Sequence, residues 1–145
     1  MKVKALNISE KKGTIKRPVP SVDVNLEGIV GDAHAGDHHR QISLLAYESI
    51  KCFESVLGRE IMVGEFAENI TTVGLDLLSL KIGQKIQVGE VIMELTQIGK
   101  ECHGTGCAIF TEVGKCVMPK EGIFCRVIKG GKIFVGDEIV ILFSK

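Results

Sequence analysis

The chain of 145 residues has no tryptophan, a single tyrosine and only three prolines. With aromatic residues at only 5%, it has to build its core mainly from aliphatic side chains, with 17 glycines serving the tight turns. Excess charge is missing as well, because 18 basic residues cancel 18 acidic ones. A protein that wraps nucleic acid carries a dominant basic patch, so the balance argues against that class of partner. No run approaches the roughly 18 uninterrupted apolar residues that cross a bilayer. The start, Met1-Lys2-Val3-Lys4-Ala5-Leu6, turns polar too soon for a secretory leader. A cytoplasmic protein with no membrane partner is therefore expected, its five cysteines held as thiols. An odd number of cysteines cannot all pair internally. There is no low-complexity tract and no linker rich in Pro or Ser, and a chain of this length suits one domain with a real core.

What is present is short alternation. Val3 to Ile8, Ser21 to Leu26, Gln41 to Leu45, Lys85 to Val88, Val91 to Ile98, Ile123 to Lys129 and Glu138 to Phe143 each read as strands bounded by turn formers. Gly83-Gln84 and Gly89-Glu90 mark turns, and Gly130-Gly131 reads as a hairpin turn with positive φ. Ala46, Ile50, Phe53 and Leu57 fall at helical spacing with Gly58 as the stop. A second, shorter helix is expected over 105–113. Strands do not alternate with long helices, so a doubly wound parallel sheet is disfavoured. The expected fold is mainly β, a compact and predominantly antiparallel β-barrel with one or two packed α-helices.

Three segments could carry chemistry. Gly31-Asp32-Ala33-His34-Ala35-Gly36-Asp37-His38-His39-Arg40-Gln41 joins two strands. Its backbone N–H groups and the Arg40 guanidinium suit a phosphate or carboxylate. The same residues also suit a polar turn that bonds only its own backbone, or a zinc site on His34, His38 and His39. Glu68 and Asn69 directly precede a β-branched run, where a fixed carboxyl and amide could orient a polar ligand or cap a turn. The third segment is Gly99-Lys100-Glu101-Cys102-His103-Gly104-Thr105-Gly106-Cys107, which follows the alternating run Val91 to Ile98. A thiol released into a glycine-rich turn beside Lys100 and His103 favours the thiolate, the form that attacks electrophiles and ligates soft metals.

The other cysteines read differently. Cys107 could be a second thiol for a transient disulfide or persulfide relay with Cys102. Cys102, Cys107, Cys116 and Cys125 are separated by gaps of four, eight and eight residues, which matches no zinc ribbon or common iron–sulfur spacing. Cys125, inside a strand, and Cys52, off the helix stripe, read as structural.

Taken in order, Gly31-Asp32-x-His34-x-Gly36, Arg40-Gln41-x-Ser43-Leu44-Leu45, Gly64-x-Phe66-x-Glu68-Asn69-Ile70-Thr71 with Gly74-Leu75, then Gly83 and Cys102 resemble the MOSC domain, named for the C-terminal part of molybdenum cofactor sulfurases. The likeness runs over roughly residues 3–142. It implies a single MOSC-like domain over residues 1–145, a compact barrel and binding of a molybdopterin-type molybdenum cofactor. Carried over by position, Cys102 would be the metal ligand or the sulfur-bearing, catalytic thiol. His34, Arg40, Glu68 and Asn69 would line the pocket for the pterin and its phosphate.

In cofactor sulfurases the domain is thought to handle the cofactor during sulfur transfer. In amidoxime-reducing and hydroxylaminopurine-detoxifying relatives the hallmark cysteine ligates molybdenum and N-hydroxylated compounds are reduced. The implied partners are cofactor biosynthesis enzymes, a sulfur donor or molybdoenzyme apoproteins, with a separate electron donor for the reductase version. These residues include neither the extra N-terminal barrel of the amidoxime reductases nor the aminotransferase-like domain of the sulfurases. Cofactor handling or sulfur transfer is thus expected at least as much as turnover. The rivals from other classes are a cofactor-free thiol redox sensor using Cys102 and Cys107, and a structural zinc protein.

Overall fold

A computed structural model describes residues 1–11, 15–98 and 122–142 of the chain. Its strands are β1 (Lys2–Ile8), β2 (Arg17–Val19), β3 (Ser21–Asn25), β4 (Gly28–Ile29), β5 (Ile42–Ala46), β6 (Ile70–Val73), β7 (Lys85–Val88), β8 (Val91–Ile98), β9 (Ile123–Lys129), β10 (Gly131–Phe134) and β11 (Ile139–Leu142). One α-helix, α1 (Tyr47–Leu57), follows β5, and a 3-10 turn covers Leu77–Ser79. The helix expected over 105–113 lies outside the described residues.

Eight strands form one sheet in the order β11-β7-β8-β9-β5-β6-β1-β2, and three form another in the order β10-β3-β4. Every pairing is antiparallel except β5 with β6, which α1 separates in sequence. Among the described residues the expected barrel is not a closed one. β11 and β2 remain the edges of the large sheet, and the first strand meets the last only at an isolated Lys2↔Glu138 bridge. Hydrogen bonds from Ile139 N–H to Met1 O and from Val3 N–H to Asp137 O flank that bridge, too few to continue a ladder.

The Gly130-Gly131 expectation also needs correction. β10 pairs with β3 rather than folding back on β9, so the two glycines carry the chain from one sheet to the other. A Cβ on Gly130 would stand 2.5 Å from Val24 O, and that crowding makes the crossing possible only for glycine. The turn at Gly89-Glu90 does close a hairpin, with Val88 opposite Val91.

Alternation places Leu6, Ile42, Leu44, Ile70, Leu95, Ile123 and Cys125 on one face of the large sheet, where they share a single buried cluster with Val22, Val24, Ile29 and Ile133 of the small sheet. Each such Leu or Ile contributes about 1.5–3 kcal/mol through burial. Helix α1 carries the stripe its spacing implies: Ile50 is fully buried, and Phe53 meets Phe66 edge to face with centroids 5.8 Å apart. Gly58 ends the helix in the left-handed region (φ 72°), its N–H returning to Glu54 O.

Candidate functional site

The register of the large sheet sets up a row. Gln97 lies opposite Phe124, Phe124 opposite Ser43, and Asn7 opposite Pro18. Backbone bonds join Ser43 to Asn69 (Asn69 N–H to Ser43 O, 3.0 Å) and Asn69 to Asn7 (Asn7 N–H to Asn69 O, 2.7 Å). Ser43 sits between Ile42 and Leu44, Asn69 before Ile70 and Asn7 after Leu6, so these side chains point away from the aliphatic cluster. They are nonetheless buried. A buried polar surface must satisfy its own hydrogen bonds, and this one does so for most of its atoms by joining side chains to one another and to neighbouring backbone.

Asn69 is the knot of the row. Its Oδ1 accepts from Ser43 N–H (3.0 Å) and Ser43 Oγ (3.2 Å), while its Nδ2 donates to Asn7 O (3.2 Å). Both ends of the amide are thereby committed to holding β5, β6 and β1 together. Glu68, fully buried beside it, accepts through Oε2 from Gly64 N–H (2.9 Å) and Thr71 Oγ1 (2.7 Å). Burial pushes its carboxyl above the usual range, against these two bonds and the backbone N–H groups of Glu68 and Phe66, which all favour the charged form. Just before it, Ala67 stands at φ 64°, a left-handed conformation that costs a non-glycine residue about 1–2 kcal/mol. Its N–H bond to Gly64 O (2.9 Å) helps hold it there.

His34 belongs to a second cluster, built on Asp32. Asp32 Oδ1 accepts from Lys16 Nζ (2.8 Å) and Ser9 N–H (3.1 Å), and Oδ2 accepts from His34 N–H (3.0 Å). The His34 ring lies alongside, Nδ1 3.5 Å from the same Oδ2. Lys16 and Asp32 form an ion pair with both side chains fully buried. Burial opposes the charge on Asp32, but the bonds from His34 and Lys16 outweigh it and hold the carboxyl well below the ordinary aspartate range. The two clusters touch through the main chain, because Lys16 N–H donates to Gly64 O (2.9 Å) and Gly64 N–H donates to Glu68. Gly64 has to be glycine: its φ is 83°, and a Cβ there would lie 2.3 Å from Lys16 O.

Arg40 occupies the opposite end of the row. It is exposed, donates from Nε to Gln97 Oε1 (2.9 Å), and holds its guanidinium carbon 5.9 Å from the Phe124 ring centroid. His39 Nε2 lies 2.9 Å from the same Gln97 oxygen, and Thr96 Oγ1 bonds His39 O. Among the described residues the terminal guanidinium nitrogens of Arg40 meet no acceptor. The last β8–β9 pair, Ile98↔Ile123, stands next to Gln97 and Phe124, so the segment carrying Cys102 departs from and returns to this corner.

Cys102 itself, with Cys107 and Cys116, lies outside the described residues. Cys125 is fully buried, and burial first, with the nearby Glu94 charge second, pushes its thiol far up, which leaves it inert. Cys52 is exposed on α1. The three loop histidines do not converge: His34 goes to Asp32, His38 Nδ1 accepts from Arg40 N–H (3.0 Å) and His39 meets Gln97. Among the described residues no three His, Cys, Asp or Glu side chains are grouped to hold a metal ion.

The structure thus brings Glu68 and Asn69 together, links His34 to them through Lys16 and Gly64, and sets Arg40 at the far end of the row. Lys16, Asn7 and Gln97 were not singled out by the sequence reading. A lysine in a loop and amides within strands carry no pattern that separates them from solvated neighbours.

The chain belongs to the MOSC domain family, whose model matches residues 31–140. Among solved structures it is similar to the YuaD protein from Bacillus subtilis at 23% identity and a TM-score of 0.80, over 99% of this chain and 96% of that one. It is also similar to YiiM from Geobacillus stearothermophilus at 22% identity and a TM-score of 0.77, over 98% of this chain and 75% of that one. YiiM from Escherichia coli follows at 17% identity and a TM-score of 0.73, over 100% and 71%. At such identities these likenesses speak for the fold alone. No curated protein is significantly similar in sequence.

Proposed function

We propose that this MOSC domain binds a molybdenum cofactor of the molybdopterin type and handles or sulfurates it through Cys102. The observation that carries the reading is the corner at Gln97 and Phe124. There an exposed arginine, its terminal nitrogens uncommitted among the described residues, stands beside the two ends of the segment that contains Cys102. A guanidinium fixed at Nε and backed by a ring presents its outer fork to a phosphate, which fits the phosphate tail of a pterin cofactor. The cofactor would bring a soft metal centre to which a thiolate such as Cys102 binds readily.

His34 and the Glu68–Asn69 corner complete the proposed site in different ways. The His34 ring keeps some exposure and can face a ligand. Asn69 and Glu68 are sealed and hold the strands that border the site.

The test is cofactor content of protein isolated from a molybdenum-replete host, measured as bound molybdenum and pterin per chain. The wild type is expected to retain both. Arg40→Ala should lose pterin and metal together, and Cys102→Ala should lose or loosen the metal. Equal retention by all three proteins would remove both residues from the role.

A further inference from the structure

Two buried oxygens in the polar face have no hydrogen-bond partner among the described residues: Glu68 Oε1 and Asn7 Oδ1. Both residues are fully buried. The two residues are linked through Thr71, since Asn7 Nδ2 donates to Glu68 O (3.2 Å) and to Thr71 Oγ1 (3.1 Å), and Thr71 Oγ1 spends its one proton on Glu68 Oε2 (2.7 Å). An amide oxygen only accepts. A carboxylate oxygen also only accepts, so an ionised Glu68 leaves both atoms stranded. A proton on Oε1 turns one of them into a donor for the other.

Only hydrogen bonds from Gly64 and Thr71 and the backbone N–H groups of Glu68 and Phe66 favour its ionised form, and burial outweighs them. No described Lys, Arg or His forms an ion pair with Glu68. On the side of β1 and the segment before β2, the buried Lys16 ammonium is engaged by Asp32 and Ser9. On the covering segment, Arg59 is bonded to Glu65 (2.9 Å) at the surface. The strands on either side contribute Ser43, Asn69 and Thr71, all neutral.

We infer that Glu68 is a neutral carboxylic acid at neutral pH whose Oε1–H donates to Asn7 Oδ1, so that the polar row stores one proton and bears no negative charge. Burial acts in the same direction on its titration. The inference does not depend on the identity of any ligand. It does bear on what the site accepts: an anion approaching Arg40 meets no carboxylate repulsion from the Glu68 corner.

The experiment is infrared spectroscopy of the 145-residue chain at neutral pH, in ordinary and heavy water. A carbonyl band of a protonated carboxylic acid, shifted by deuterium, is expected in the wild type and absent from Glu68→Gln. That variant keeps a neutral donor at the same place and should fold with unchanged or higher melting temperature. Asn7→Ala, which removes the acceptor, should move the band toward the frequency of an unbonded acid. Absence of the band in the wild type would overturn the proposal and indicate an ionised Glu68 bridged to Asn7 by water. A band that persists in Glu68→Gln would overturn it as well. Should Glu68→Gln fail to fold, the wild-type band and its response to Asn7→Ala decide the matter.

Discussion

The two faces of the large sheet are both shut away from water along the row from Ser43 to Asn7, but by different physics. One face is closed by area: Leu6, Leu44, Ile70 and Ile123 interlock with the small sheet and need no directional partner. The other is closed by pairing. Ser43, Asn69, Asn7, Glu68, Asp32 and Lys16 are sealed in only because each finds a bonded neighbour. The first kind of burial degrades gradually when a methyl group is removed. The second fails stepwise, because losing one partner strands another. The proposed site borders the second face, where small changes of side chain have directed consequences.

The sharpest way to break this contrast is Asp32→Ala, which leaves the Lys16 ammonium buried without its carboxylate. A loss of about 3–5 kcal/mol in urea-unfolding stability is expected. Replacing both partners together, Lys16→Met with Asp32→Leu, should recover much of that loss; a double variant no better than the single would mean the charges do more than satisfy each other. On the aliphatic face Leu44→Ala should cost about 2–5 kcal/mol by the same assay, through lost contact and a cavity. No second substitution in a neighbour should restore it by pairing.

Next in size is Gly64→Ala, where left-handed backbone and the clash with Lys16 O combine to an expected loss of about 1–3 kcal/mol. Both clusters hang on that residue, so amide exchange should quicken around Asp32 and Glu68 together.

The two buried carboxyls should also give opposite slopes of stability against pH. Asp32 is held below the ordinary aspartate pKa, so its contribution is present above about pH 4 and fades as the solution is acidified below that. Glu68 is pushed upward by burial. Above about pH 4.3 the unfolded chain ionises this group while the folded chain keeps its proton, so stability declines with rising pH until the folded group ionises too. Glu68→Gln should remove that decline and leave the acid limb intact, as read from denaturation curves across the range. The smallest effect belongs to Arg40→Ala, within about 0.5 kcal/mol of wild type because the side chain is exposed. Its consequence should instead appear in cofactor retention.

Much of the aliphatic face was legible from alternation. Lys85–Val88, Val91–Ile98 and Ile123–Lys129 are observed with the expected limits, and the helix starts and stops within a residue of its periodic stripe. Period-two patterning is written along the chain, so it survives without tertiary context. The short strands β2 and β4 carry too few residues to show a period, and the Gly130-Gly131 crossing looks locally like a hairpin because the identity of the paired strand is not a local property.

The polar face was legible only as residue types. Glu68, Asn69, His34 and Arg40 stood out as loop and strand-entry groups. That Asn69 would be consumed by Ser43 and Asn7, 26 and 62 residues away, or that Lys16 would be sealed against Asp32, depends on register across strands distant in sequence. Pairing networks are properties of the assembled sheet.

The isolated bridge between Lys2 and Glu138 has a consequence for solubility. Ile139 donates its N–H to the carbonyl of Met1, so Met1 shields the start of an outer strand that is otherwise open among the described residues and carries exposed Val140. Clipping residues 1–2 would bare that backbone and offer an apolar strand to a neighbouring molecule, the geometry from which edge-to-edge association begins.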